Sequence, residues 1–473
     1  MSQIKFGTSG WRGVLCDEFT TANVRVVIQA IADHLHAQGI GEQGVVIGYD
    51  ARFMGKDFAR EAVRVLAGAG IKSYLCTRDT PTPVISHELI RRGAAGAINF
   101  TASHNPYDYN GIKFSPAWGG PALPETTTDI EQHANAMLGE VVARDMPLNR
   151  AAEQSLFEEI DPRNDYFATL RGLVDLSAIA ASGIKIAVNP LYGTGRGYLD
   201  SILTQADVAT EVVNNHLDPY FGGEPPEPAE AHISDFIALV KSDPDLVLGI
   251  ATDGDADRFG IVDGDGHYIE PNYILALLFD YLVRRKGLRG DAARSVATSH
   301  LLDAVAQHHN LKVLETPVGF KFIGEYISQD KILIGGEESA GLSIRGHVPE
   351  KDGILACLLV AEMVAVEQQP LSRLLADLYA RVGEFHTKRI NIRLSDEVES
   401  GLLDKLADPP QSLGGREVAE VIQVDGHKYL FADGSWLLFR KSGTEPVVRL
   451  YAEADSAEKL EALIEIGRDF ILA

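Results

Sequence analysis

A short apolar run, a longer amphipathic run and a second short apolar run recur three times along this chain. That alternation restricts the fold more than any other feature. Val45 to Gly48, Asp57 to Gly68 and Ile71 to Cys76 form the first unit, and Ile184 to Asn189, Tyr198 to Thr204 and Val208 to Asn214 the second. Ser295 to Thr298, Leu301 to His308 and Lys312 to Glu315 form the third. The outer runs have the length and apolar density of strands and the middle ones repeat at helical spacing, so each unit reads as strand–helix–strand. Such alternation builds α/β layers. At 473 residues the chain exceeds what one core supports. The expectation is three related α/β domains with mixed sheets, although no clear sequence repeat accompanies them. The last hundred residues differ: Thr387 to Leu394, Lys428 to Ala432 and Ser435 to Arg440 alternate like antiparallel strands, and a helix follows from Ala457. They read as a C-terminal α+β domain. The expected divisions are 1–150, 151–268, 269–375 and 376–473. The Pro-rich segment Glu224 to Pro228 reads as an exposed loop within the second domain.

Charge narrows the function classes. Lys and Arg number 43 against 67 Asp and Glu, a formal net charge of -24. A nucleic-acid or anionic-membrane surface needs a basic face, so neither partner is expected. An anionic substrate would have to be met by locally concentrated Arg and Lys. The three cysteines, Cys16, Cys76 and Cys357, form no C-x-x-C pair and read as buried thiols of a reducing compartment. Ile4-Lys5-Phe6-Gly7 carries no apolar signal core, and no apolar run has bilayer length. The expected setting is the cytoplasm, as a monomer or homodimer.

Four loops carry chemistry. Thr101-Ala102-Ser103-His104-Asn105-Pro106 follows the buried strand Ala94 to Phe100 and places a serine and a histidine at the open end of a sheet, where ligands of α/β sheets sit. Alone, it reads equally well as a helix-capping turn. Asp253-Gly254-Asp255-Ala256-Asp257-Arg258 offers three carboxylates at alternate positions, suited to one hard cation with oxygen ligands. An EF-hand reading fails, because Arg258 stands where glycine and Gly264 where glutamate is needed. An arginine directly after the third carboxylate fits a site that takes metal and phosphate together, and magnesium leaves positions open for phosphate oxygen. Gly335-Gly336-Glu337-Glu338-Ser339-Ala340-Gly341 supplies acceptors for sugar hydroxyls or, read blandly, the acidic first turn of a helix. Arg440-Lys441-Ser442-Gly443-Thr444-Glu445-Pro446, with Arg449 downstream, has the composition of a phosphate nest or of a basic hairpin tip. Gly193-Thr194-Gly195-Arg196-Gly197 lacks dinucleotide spacing and reads as a tight strand-to-helix turn. Thr298-Ser299-His300 reads as a helix cap and His308-His309 as surface histidine.

With these four loops in this order, the sequence resembles the α-D-phosphohexomutase family over essentially its full length, most closely the phosphoglucomutase branch. The resemblance implies four domains around a central cleft, with one loop from each. It implies that Ser103 is carried as phosphoserine and passes its phosphoryl group to a sugar monophosphate. Asp253, Asp255 and Asp257, with Ser103, would hold Mg²⁺, and Arg258 would stabilise charge on the transferring group. Lys113, in Asn110-Gly111-Ile112-Lys113, is implied as the base. His104 and Arg12, the latter in Gly7-Thr8-Ser9-Gly10-Trp11-Arg12-Gly13, would assist around the phosphoserine. Glu337 and Ser339 would grip the sugar, while Arg440, Ser442, Gly443, Thr444 and Arg449 would anchor its distal phosphate. Glu338 and the segment Thr316-Pro317-Val318-Gly319-Phe320-Lys321-Phe322 resemble the glucose-specific pattern. The implied activity interconverts glucose 1-phosphate and glucose 6-phosphate through glucose 1,6-bisphosphate. The alternatives are a phosphomannomutase or dual-specificity enzyme, a metal-dependent serine phosphomonoesterase, and a non-catalytic sugar-phosphate sensor.

Overall fold

The computed structural model describes residues 3–7, 10–139, 144–393, 396–441 and 447–472, with backbone alone at 396–400 and 403. Among these residues four sheets succeed one another. The first runs Phe6–Gly7, Gly10–Val14, Tyr109–Pro116, Gly96–Phe100, Val45–Tyr49, Ser73–Cys76, Phe157–Ile160. The second runs Tyr268–Ile269, Phe259–Asp263, Leu246–Thr252, Lys185–Asn189, Ala209–Val212, and the third Gly341–Ile344, Ile332–Glu337, Asp291–Ser295, Val313–Thr316. The fourth is antiparallel: His386–Arg393, Val447–Ala454, Trp436–Lys441, His427–Phe431, Arg416–Ile422, Ser412–Leu413. Leu402, Leu406, Leu460 and Leu463 of its two helices, Asp396–Ala407 and Ala457–Leu472, share its core.

One arrangement recurs in the first three sheets. Three parallel strands lie side by side, and the innermost turns back through a loop into an antiparallel partner. Gly96–Phe100 returns as Tyr109–Pro116, Leu246–Thr252 as Phe259–Asp263, and Ile332–Glu337 as Gly341–Ile344. The other two parallel strands occupy the same places each time. The kinship suggested by the alternating runs is therefore geometric. Each loop at that return also holds one non-glycine residue at positive φ: Ser103 at 54°, Ala256 at 56° and Ala340 at 69°. Equivalent turns in three sheets thus deliver the three expected loops.

The helices expected at Asp57 to Gly68, Tyr198 to Thr204, Leu301 to His308 and from Ala457 form as Gly55–Gly68, Leu199–Gln205, Leu301–His308 and Ala457–Leu472. Gly55–Gly68 buries Phe58, Ala62, Val65 and Leu66 on one face, as an amphipathic surface helix does. Gly353–Glu367 is apolar on every side and buried along nearly its whole length, the pattern of a core helix. With Pro271–Arg284 it belongs to one apolar core that spans the second and third sheets. No single described helix is long and apolar enough to cross a membrane.

Several expectations need correction. Phe157–Ile160 pairs with Ser73–Cys76, so the first sheet continues past residue 150. Its sequence, Phe-Glu-Glu-Ile, is too polar to announce a strand. Helix Leu371–Val382 runs through the division drawn at 375. The strand expected at Ser295 to Thr298 is Asp291–Ser295, because Arg294 is buried by pairing with Asp303 and with Glu315 at 2.6 Å and so does not read as a core residue. Cys16 is exposed, whereas Cys76 and Cys357 are buried. His309 lies 2.8 Å from Asp280 and is only partly exposed. Pro226 and Pro228 are buried, and the Pro226 carbonyl accepts the Gly254 N–H at 3.1 Å, so the Pro-rich loop braces the Asp-rich one.

Candidate active site where three loops meet

Strand Gly96–Phe100 is buried throughout, and the chain leaves it through Thr101, whose hydroxyl accepts the Ser103 N–H at 2.8 Å. Ser103 then adopts a left-handed backbone that a non-glycine residue enters only at a cost. Its Oγ donates to Asp253 Oδ2 at 2.9 Å and lies 3.3 Å from His104 Nδ1. The serine of the first domain and the Asp-rich loop of the second are therefore one site.

Asp253, Asp255 and Asp257 each offer a carboxylate oxygen within 4.8 Å of the others, and all three are buried. Small residues between them permit the packing. A Cβ on Gly254 would lie 2.7 Å from the Ser103 carbonyl, and one on Gly193 would lie 2.7 Å from the Gly254 carbonyl. Gly193 thus belongs to a tight turn, as expected, which presses on the Asp-rich loop. Asp255 Oδ1 and Asp257 Oδ1 have no hydrogen-bond partner although buried, an arrangement that costs free energy unless something meets them. A hard divalent cation would meet them, and this all-oxygen donor set fits magnesium.

The other oxygens of the triad face cations. Lys113, on Tyr109–Pro116, places Nζ 2.6 Å from Asp255 Oδ2 and 2.8 Å from Asp257 Oδ2. Lys351, from the third domain, lies 2.9 Å from Asp257 Oδ2. Burial and the two neighbouring carboxylates push the Asp253 carboxyl well above the usual range. Burial acts on Asp255 and Asp257 as well, but Lys113 holds both below it, with Lys351 adding to the effect on Asp257. Burial opposes the charge on Lys113, yet Asp255 and Asp257 outweigh it and keep the lysine protonated. This departs from the expected base: as held here, Lys113 is a cation.

His104 shows the opposite balance. Burial, then Arg258 and Arg12, push its imidazolium well below the usual range, so the ring beside Ser103 Oγ is neutral. Arg12 donates to Asn105 Oδ1 at 2.5 Å, and burial followed by the charge of Arg258 lowers it to about 10. The Arg258 side chain reaches Glu227 at 3.2 Å, while its backbone N–H donates to Asp253 Oδ1 at 3.0 Å.

In the third loop, Gly335, Gly336 and Glu337 are the end of strand Ile332–Glu337 rather than loop. Glu337 Oε1 accepts the Gly319 N–H at 2.8 Å, which ties it to the segment after Thr316. Burial, then Glu338, raise the Glu337 carboxyl to about 7. Glu338 Oε2 accepts from Ser295 at 3.0 Å and Thr298 at 3.3 Å. A cavity of about 450 Å³ is lined by Arg258, Glu338 and Ser339 together with Trp436 and Tyr451 of the fourth domain. That is the size class of small-molecule sites. Ser103, at 2% exposure, and Glu337, at 6%, are not among the residues that line it.

Of the fourth loop, Arg440 and Arg449 are described and stand opposite each other on adjacent strands. Arg440 Nε donates to Asp425 Oδ2 at 2.9 Å, and the same oxygen accepts the Val318 N–H at 3.0 Å. Neither arginine lines the cavity. Ser442, Gly443 and Thr444 lie outside the described residues. His300, whose side chain makes no capping bond, is the N-cap of helix Leu301–His308; Ser299 Oγ accepts the Leu301 N–H at 3.0 Å in the turn before it and donates to Glu453 across the junction with the fourth domain.

Sequence reasoning missed four participants. Thr82 donates its backbone N–H to the Asp255 carbonyl at 2.9 Å and its hydroxyl to Asp255 Oδ2. Lys351 completes the triad's cations, and Arg52 and Asp50 are buried beneath the Ser103 loop. Charged residues directly after an apolar strand (Asp50, Arg52) or before an apolar helix (Lys351, Asp352) were the available signal.

Comparison with known proteins agrees with this layout. Models for the phosphoglucomutase/phosphomannomutase alpha/beta/alpha domains I, II and III and the C-terminal domain match residues 3–138, 164–266, 270–382 and 390–466. A phosphoglucomutase from Komagataeibacter xylinus is 31% identical, over 100% of this chain and 91% of that protein. A phosphoglucomutase/phosphomannomutase from Thermococcus kodakarensis is 30% identical, over 98% and 97%. The crystal structure of a Thermus thermophilus protein assigned to the phosphomannomutases superimposes with a TM-score of 0.86 at 34% identity, covering 100% of both chains.

Proposed function

Because this chain belongs to the phosphoglucomutase/phosphomannomutase family of isomerases, we propose that it is a magnesium-dependent phosphoglucomutase working through phosphoserine at Ser103. The observation that supports this most is Ser103 Oγ at 2.9 Å from Asp253, in a triad with two unmet carboxylate oxygens. A magnesium ion held by Asp253, Asp255 and Asp257 would neutralise negative charge as the phosphoryl group transfers.

In the proposed cycle, phosphorylated Ser103 gives its phosphoryl group to the free hydroxyl of a hexose monophosphate. The P–O bond to serine breaks as the P–O bond to the sugar forms; the sugar hydroxyl gives up its proton and the departing Ser103 Oγ takes one up, so Ser103 is left as the free hydroxyl. The resulting glucose 1,6-bisphosphate turns over and returns its other phosphoryl group to Ser103. Lys113, charged as held here, suits the neutralisation of the transferring group, and a base role requires it first to shed its proton. Neutral His104, 3.3 Å from Ser103 Oγ, can carry a proton at that oxygen. Arg258 would stabilise charge on the transferring group, and Arg12 would hold the loop through Asn105. Glu337 and Ser339 would bond sugar hydroxyls. Arg440 and Arg449, with the Ser442–Thr444 segment, would anchor the distal phosphate. The preference for glucose rests on the Glu337–Gly341 pattern.

The test is Ser103→Ala. Wild-type protein incubated with glucose 1,6-bisphosphate should gain the mass of one phosphoryl group and interconvert the glucose phosphates, and the variant should do neither. Full turnover by the variant overturns the reading. Net phosphate release in place of isomer formation would make the protein a phosphomonoesterase. Mannose and glucosamine 1-phosphates in the same assay test the sugar.

A further inference from the structure

Every N–H of the Arg52 side chain is engaged in the interior of the first domain. It follows strand Val45–Tyr49, and its guanidinium and the Asp50 carboxylate have no solvent exposure. Nε donates to Asp50 Oδ2 at 3.1 Å. One terminal nitrogen donates to the carbonyls of Pro106 at 2.6 Å and Tyr109 at 3.0 Å, and the other to those of Ser103 at 2.7 Å and Asn105 at 2.5 Å. A guanidinium has five N–H donors, and all five are used here. Four of them go to backbone oxygens of the segment that carries Ser103. The backbone N–H of Arg52 donates to Asp50 Oδ1 at 3.0 Å, so both carboxylate oxygens are engaged as well. The guanidinium also sits 5.1 Å from the ring centroid of Phe221, which belongs to the second domain.

A loop with four carbonyls turned inward onto one cation cannot relax without unpairing them in a buried space, which is expensive. The same loop holds Ser103 at φ 54°, a conformation that persists only when its surroundings over-determine it. We infer that Arg52, held by Asp50, is the positioning residue for phosphoryl transfer: it fixes the Ser103 loop in the strained geometry that aims the serine at Asp253. The inference rests on the proposed mutase reading. It assigns Arg52 no contact with substrate; the residue acts through the Ser103 carbonyl. It also explains why arginine is required: lysine carries three donors and satisfies at most three of the five acceptors.

The test compares wild type, Arg52→Lys and Asp50→Asn, with magnesium present. Wild type must first show mutase turnover and a phosphorylated Ser103; if it shows neither, the functional reading fails and Arg52 is not at issue. With an active wild type, Arg52→Lys should lower kcat by about 100-fold, the scale of an ångström-sized misplacement. KM for glucose 1-phosphate should stay within about threefold, since binding groups are untouched. Asp50→Asn should lower kcat in the same direction with the same constancy of KM. The phosphorylated Arg52→Lys protein should also lose its phosphoryl group to water faster than wild type. A folded variant at either position with wild-type kcat overturns the inference. So does a matched rise in KM, and so does failure of both variants to fold, which would make the clamp a stability element only.

Discussion

Replacing Lys113 with methionine removes one charge from the centre of the site while keeping a flexible side chain of similar length. Lys113 Nζ lies 2.6 and 2.8 Å from oxygens of Asp255 and Asp257. At an effective dielectric of about 20, each pair carries roughly 6 kcal/mol of Coulomb attraction, most of it offset by the cost of burying the charges. The variant leaves Asp255 with the Thr82 hydroxyl and Asp257 with Lys351 at 2.9 Å. Breaking a buried pair by removing one partner costs about 3–5 kcal/mol, because a charge is left uncompensated. A divalent cation supplies that compensation, and ligand binding to the folded state adds stability in proportion to the logarithm of its concentration. Lys113→Met should therefore unfold earlier than wild type in urea with a chelator present, and magnesium should recover more stability in the variant than it adds to wild type. The readout is the urea midpoint by circular dichroism, with and without magnesium. A variant within about 1 kcal/mol of wild type under chelation would refute the pairing argument. Equal magnesium effects on both proteins would refute the claim that metal and lysine serve the same carboxylates.

Three further outcomes follow from other parts of the site. Glu337, raised to about 7, is a better hydroxyl acceptor when ionised, so KM for glucose 1-phosphate should fall as pH rises through about 7. Glu337→Gln should remove that part of the profile, and superimposable profiles would exclude the role. Gly254→Ala sets a Cβ 2.7 Å from the Ser103 carbonyl and should cost about 1–3 kcal/mol and at least about tenfold in kcat; wild-type kinetics would show that the loops are free to separate. Lys428, on the fourth sheet, is fully buried with Nζ 2.9 Å from the Val296 carbonyl, and burial followed by Arg294 lowers it from 10.5 to about 7. The unfolded chain binds its proton more tightly, so stability should rise with pH between about 7 and 10.5 and stay level below. Lys428→Met should flatten that slope in urea midpoints, and an unchanged slope would assign it elsewhere.

The three α/β domains were legible because strand and helix alternate locally, and each period shows within one segment. Phe157–Ile160 was not, since an edge strand needs little apolar surface, and Asp291–Ser295 was not, since Arg294 is buried by partners elsewhere in the chain. The same contrast runs through the site. Ser103, the three aspartates, Arg258 and Glu337 could be singled out because each lies in or beside a short segment of unusual composition, and the four segments occur together in one order. Lys351, Thr82 and Arg52 could not, because each acts on a loop distant from it along the chain.

Residue order alone settles the inventory here: a hydroxyl beside a histidine, alternate carboxylates, glycines where backbones approach. Those follow from side-chain chemistry and backbone freedom, which are local. The packing of the first three domains settles the charge states. It seats Lys113 and Lys351 on Asp255 and Asp257, leaves His104 neutral among cations and holds Ser103 in a strained turn over Arg52. Protonation and strain depend on desolvation and on groups only a few ångströms away, and in this chain those groups arrive from different domains.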